Sequence, residues 1–197
     1  MPGVKIALLA YTFSTNGIAL DPDRTFGANV VRFNALRDAD YDPDLVHHHI
    51  ELARKRGADL IVSSHHWGVE FEYYPPARIV TRAHELLDAG IDIIVGHHPH
   101  ILNPTEWHVT PDGRTTVCLY SLGNLTSWAL LHPMQRLSEV AEVGGPCSQT
   151  GHLRLRPMDR APAGPTSRII NATMTVIAVP VRYSLRMPLA QSMTPLS

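Results

Sequence analysis

Ile91-Asp92-Ile93-Ile94-Val95-Gly96-His97-His98-Pro99-His100 is an apolar run that stops at a glycine and gives way at once to three imidazoles. A helix signal stands in front of it. Pro75-Pro76 opens that helix, Ile79, Ala83, Leu86 and Leu87 share one face, and Gly90 ends it. The same order recurs one unit earlier. Asp42-Pro43 opens a helix with Asp42 as N-cap, Leu45, Ile50 and Ala53 form its apolar stripe, and Gly57 terminates it. Leu60-Ile61-Val62 then follows as a short buried strand, and Val4 to Tyr11 supplies the strand before. Apolar strands separated by helices are the pattern of a parallel sheet covered on both faces, so the fold class is α/β. Right-handed crossovers place the ends after Val62 and Val95 at one edge of the sheet, where ligands of open α/β sheets bind. Both ends carry histidine.

Outward from this centre the pattern is plainer. Residues 14–41 carry Asn, Asp, Pro and Gly without a period and read as a loop. Val117 to Tyr120 is a further strand leading into the turn Ser121-Leu122-Gly123-Asn124. Leu153-Arg154-Leu155-Arg156 alternates as a half-exposed strand does, Met174 to Val181 reads as a last strand, and Pro157 to Pro165 connects them. Residues 1–125 thus form the α/β unit, and residues 126–197 a weakly patterned strand and loop region of the same domain.

The chain has 197 residues and a net charge of −1, which fits one domain and removes the electrostatic argument for nucleic acid or an anionic membrane. Twelve histidines against 17 lysines and arginines is the unusual entry in its composition, and eleven of the twelve lie in residues 1–150. Residues 151–197 carry six arginines and one acid, Asp159, a spacing typical of a solvated surface. Cys118 and Cys147 make no disulfide framework, and Cys118 reads as a small buried thiol. No stretch approaches the ~18 apolar residues of a membrane span. Val4 to Tyr11 is too short for a signal peptide, and Tyr11-Thr12-Phe13 is a poor cleavage site. As it stands the chain is expected in the cytoplasm. Asn171-Ala172-Thr173 fits a glycosylation acceptor, with nothing else pointing to that route.

Ser64-His65-His66-Trp67-Gly68-Val69-Glu70 and Gly96-His97-His98-Pro99-His100 carry the chemistry. Neutral imidazoles suit Zn²⁺, Mn²⁺ or Fe, and two adjacent strand ends bring donors together without strain. In an extended segment His98 and His100 project to the same side. His47, His48 and His49 lie on a helix, fan out by about 100° each and cannot converge, so they read as a solvated face. Trp67, Trp107 and Trp128 read as packing around the site. No phosphate loop, Ser-His-Asp arrangement or paired catalytic carboxylates emerges from spacing.

Asp59 to Glu70, Ala89 to His100 and Tyr120-Ser121-Leu122-Gly123-Asn124 together resemble the hallmarks of the CapA-like poly-γ-glutamate capsule biosynthesis proteins, of the calcineurin-like metallophosphoesterase superfamily. The resemblance covers about residues 3–125. It implies a metallophosphatase-like α/β/β/α sandwich and a dinuclear divalent centre that clamps a phosphoryl group. It implies His66, His98 and His100 as metal ligands, with His65 and His97 as adjacent donors and Glu70, Glu106 and Asn124 as orienting or substrate-facing groups. An anionic polymer or phosphate-ester substrate, the capsule synthesis machinery and the cell envelope are the implied partners and setting. The alternative is a non-catalytic component that binds or exports the polymer.

The family's earlier motifs, a Gly-Asp at a first strand end, an Asn-x-Glu-like segment and an Asn-Asn-His, are not found in residues 1–58. Asp21, Asp23, Asp42 and Asp44 read as turn or cap residues. The chain therefore resembles the carboxyl-terminal part of such a protein, an incomplete sandwich or truncated reading frame without the bridging carboxylate. Weak metal binding, little phosphoesterase activity and self-association through an unpaired sheet edge are the expectations.

Overall fold

Strand β1 (Lys5–Thr12) alternates sharply, with Ala7, Leu9 and Tyr11 buried and Lys5, Leu8 and Ala10 exposed. The computed structural model to which it belongs describes residues 3–124 and the strand residues 139–144, 152–157 and 175–178. Helix α1 (Asp44–Lys55) leads to β2 (Leu60–His66), and helix α2 (Ala77–Ala89) leads to β3 (Ile93–His97). Strands β4 (Thr105–Val109) and β5 (Thr115–Leu119) form an antiparallel pair. Strands β6 (Glu139–Gly144) and β7 (His152–Pro157) form a separate antiparallel ladder, and β8 (Thr175–Ala178) joins the main sheet beside β1. The main sheet is mixed, in the order β4-β5-β3-β2-β1-β8.

The α/β class and the parallel β1-β2-β3 core match the sequence reading. Among the described residues both helices lie on one face of the sheet. Val46, Ile50 and Ala53 of α1 and Ile79, Ala83, Leu86 and Leu87 of α2 share one core with Ala7, Leu9, Ile61 and Ile94. The physical reason is strand order: β1, β2 and β3 follow one another in one direction, so right-handed crossovers lay both helices on the same face. The opposite face holds Ile93, Val117 and Leu119, with Val62 and Val95 half-buried and Leu8 48% exposed. Val46, not Leu45, fills the α1 stripe. Helix α1 starts at Asp44, with Pro43 in the capping position, and Asp42 Oδ1 accepts from the Asp44 N–H. Asp21 does the same for Asp23, so these acids are turn and cap residues as expected.

Two strands run further than their apolar runs. Ser63 to His66 continue β2, and Gly96 and His97 continue β3, because β2 pairs in register with both neighbours (Tyr11↔His65, His66↔His97). Within β2, Ser63 Oγ and His65 Nε2 pair at 2.7 Å, while His65 Nδ1 is buried without a partner. Residues 14–41 are mostly irregular, with short 3-10 turns at Pro22–Gly27 and Asp38–Asp40, yet they supply Val31 and Phe33 to the core. Buried Arg82 of α2 holds them there, donating to the Phe33 and Ala35 carbonyls (2.5 and 2.9 Å) and lying over the Tyr41 ring. Cys118 is buried, and burial pushes its thiol pKa up. Cys147, Trp128, Asn171 and the connection after Pro157 lie outside the described residues.

Candidate metal centre

The carboxyl ends of β1, β2 and β3 meet side by side. Phe13 follows β1, its N–H donating to the His66 carbonyl (3.0 Å), and the Trp67 N–H donates to the His97 carbonyl (3.0 Å). Gly96 makes this closeness feasible, since a Cβ there would strike the Tyr120 carbonyl and the Trp67 indole nitrogen. The same indole nitrogen donates to that carbonyl at 3.1 Å, so Trp67 packs beneath the site as expected. Trp107, by contrast, is exposed, on the face of β4 away from the helices.

Beyond His97 the backbone does not stay extended. His98 (φ 103°) and His100 (φ 62°) are both left-handed around Pro99, and this bend, not an i, i+2 alternation, brings their rings to 6.2 Å. Glu70 arrives on the loop after β2. Asn34 fixes that loop by bonding both polar groups of Gly68, at 2.6 and 2.9 Å. The Phe71 N–H donates to the Pro99 carbonyl (2.9 Å) and its ring stacks on His100.

One ligand atom each from Glu70, His98 and His100 lies within 4.8 Å of the others, with Glu70 Oε1 3.9 Å from His100 Nε2. His100 Nδ1 donates to Asn124 Oδ1 (2.8 Å), which leaves the Nε2 lone pair toward Glu70. His66 adjoins this trio, its ring 4.7 Å from His98 and stacked on Phe13. Burial first, then neighbouring imidazoles, holds His66 and His98 below the ordinary histidine pKa, which favours the neutral, ligating form. His97 sits beside His66 in register and is shifted down by burial and by His66. One carboxylate and two imidazoles, one with a fixed tautomer, suit a single divalent ion of the Zn, Mn or Fe type.

Two of the expected residues are elsewhere. Within β2 successive side chains point to opposite faces, so His65 goes into the core while His66 faces the site. His65 is stacked on Phe33 (4.6 Å) and edge-on to Trp67, and burial pushes its pKa down to about 3. Glu106 lies on β4, bonded to His84 Nε2 (2.9 Å) and to the Tyr120 hydroxyl (2.6 Å). Burial alone would raise its carboxyl, but these hydrogen bonds outweigh it and hold it below the usual value. The helical histidines are not a uniformly solvated face. His49 Nδ1 bonds the Tyr11 hydroxyl (2.8 Å), His47 is 3.8 Å from Glu85, and His48 alone of the three is exposed.

A family model described as bacterial capsule synthesis protein PGA_cap matches residues 1–128. The chain belongs to the bacterial capsule synthesis protein family. It is similar to the PGA biosynthesis protein CapA of Bacillus subtilis, 45% identical over 83 residues (42% of this chain, 20% of that protein). It is also similar to the capsule biosynthesis protein CapA of Bacillus anthracis, 40% identical over 125 residues (62% of this chain, 27% of that protein). A probable polyglutamine synthesis accessory protein of Mycobacterium tuberculosis is 44% identical over 74 residues, 38% of this chain and 18% of that one. The chain thus spans about a fifth to a quarter of the length of these relatives. Among the described residues no helix is long and apolar enough to cross a membrane.

Sequence reasoning placed Glu70 as an orienting or substrate-facing group, whereas its carboxylate lies with His98 and His100 in a group that could hold an ion. Asn34 and Phe13 were missed. Only the position of Phe13 just past the first strand could have signalled its part, and nothing local marks Asn34.

Proposed function

We propose that the chain serves poly-γ-glutamate capsule synthesis at the cell envelope, through a metal-dependent phosphoesterase-type centre acting on an anionic polymer or phosphate ester. The convergence of Glu70, His98 and His100 at parallel strand ends carries this reading. A divalent ion held there would supply positive charge to a phosphoryl or carboxylate oxygen. Asn124 holds the proton on His100 Nδ1 and keeps Nε2 available, while Phe13 and Phe71 cover the rings of His66 and His100. His66 stands next to His98, where it can orient a bound anion or take part in ligation.

A second reading, polymer binding or delivery to the synthesis machinery without cleavage, is favoured by the openness of the donor group to solvent, with Glu70 exposed and His98 and His100 only partly buried. Among the described residues Glu70 is the one carboxylate in this donor group. The double variant His66→Ala/His98→Ala separates the two readings in a capsule-forming host that depends on this chain. Loss of bound metal together with loss of polymer supports the metal-dependent reading. Full polymer yield without the metal rejects it in favour of binding.

A further inference from the structure

A second cluster stands apart from the strand-end histidines. His84 and Asp88 lie one helical turn apart on α2, and Glu106 and His108 alternate on the same face of β4. His84 Nε2 is 2.9 Å from Glu106 Oε1, and His108 Nε2 is 2.8 Å from Asp88 Oδ1. The two imidazoles stack face to face at 4.4 Å with 15° between their planes. Donor atoms of His84, Glu106 and His108 all lie within 4.8 Å of one another.

We propose that His84, Glu106 and His108, with Asp88 as fourth donor, form a second divalent cation site of the zinc type, bracing strand β4 against α2. Tetrahedral zinc with bonds of about 2.0–2.1 Å sets its ligand atoms about 3.3 Å apart, a spacing small side-chain rotations reach from here. The donor set points the same way: one divalent cation between the two rings would face two imidazoles, His84 and His108, and their two carboxylate partners, Glu106 and Asp88. The Tyr120 hydroxyl donates to Glu106 Oε2, so the carboxylate is already oriented from behind. Both supporting elements are regular, a helix and a paired strand, so the donors are held by scaffold and not by loop.

This site is independent of the one proposed above, and zinc stoichiometry separates them. The full chain is dialysed against Zn²⁺ and the bound metal counted. A His66→Ala/His98→Ala/His100→Ala variant is expected to retain about one equivalent, and adding His84→Gln/His108→Gln is expected to remove it. Glutamine can still donate to the carboxylates but is a poor zinc ligand, so a purely hydrogen-bonding role leaves the count unchanged. A triple variant that holds no zinc, or zinc that persists after both glutamine changes, overturns the proposal. The unaltered chain gives a reading that needs no variant to fold: Zn²⁺ must move the ring nitrogen resonances of His84 and His108, and rings that stay put at saturating Zn²⁺ overturn it equally.

Discussion

Asn124 Oδ1 lies 2.8 Å from His100 Nδ1, and this contact decides which nitrogen of His100 faces Glu70. Partners of this kind fix the tautomer and the ring angle of a ligating histidine. Asn124→Ala is therefore expected to weaken divalent metal binding roughly 10–100-fold. Calorimetric titration with Zn²⁺ or Mn²⁺ checks this. An unchanged dissociation constant would show that Asn124 is an ordinary turn residue.

Gly96 has no room for a side chain, because the Tyr120 carbonyl and the Trp67 indole occupy the place of its Cβ. Both obstacles belong to buried, well-held residues. Gly96→Ala is expected to cost about 3 kcal/mol, at the upper end of overpacking effects. Urea unfolding measures it, and a loss under about 0.5 kcal/mol, the level of an ordinary surface change, contradicts the close approach.

Arg82 reaches across to the backbone of residues 33–35. Arg82→Met keeps the stem but leaves two carbonyls without a donor, at about 1–3 kcal/mol for each group left unsatisfied. Faster proteolytic cleavage within residues 14–41 is expected, with the rest of the chain still resistant. Cleavage at the unaltered rate would place the anchor of that segment elsewhere.

His65 links stability to pH. Burial lowers its pKa in the folded chain from 6.5 to about 3, so the unfolded chain binds a proton that the folded chain refuses. Its contribution is complete above about pH 6.5 and fades as pH falls toward 3, with a slope of at most about 1.4 kcal/mol per pH unit. Denaturation midpoints measured between pH 7 and 4 should fall more steeply for the unaltered chain than for His65→Phe. Parallel curves would assign the acid sensitivity to other groups.

The fold was legible where periodicity and punctuation agreed. Ile79, Ala83, Leu86 and Leu87 with Gly90 defined α2, and the apolar runs at Leu60 and Ile93 fixed two of the parallel strands. Strand ends were misread because Ser63-Ser64-His65-His66 is polar, and hydrophobic pattern alone cannot show that its backbone pairs on both sides. Strand β4 was missed altogether: it is short, at the sheet edge, and its Trp107 and Val109 face outward, so burial never shaped its sequence. Of the site, the position of two segments at strand ends marked His65, His66, His97, His98 and His100 together, and the choice of His66, His98 and His100, like Asn124, came from the family resemblance. Glu106 was misplaced because its true neighbours, His84 and Tyr120, are set by the β4–β5 pairing, which no local spacing encodes.

The left-handed turns at His98 and His100 bear on every experiment that replaces these residues. A non-glycine residue held there stores strain of order 1 kcal/mol, and alanine tolerates such a backbone less well than asparagine or glycine. The peptide path around Pro99 is thus poised to straighten once its side chains lose their contacts. An alanine pair would combine two injuries, lost donors and a relaxed loop that also frees Phe71. A glycine pair keeps the bend accessible while removing the imidazoles, so the difference between the two pairs measures how far the loop's shape, apart from its chemistry, holds the strand ends ready.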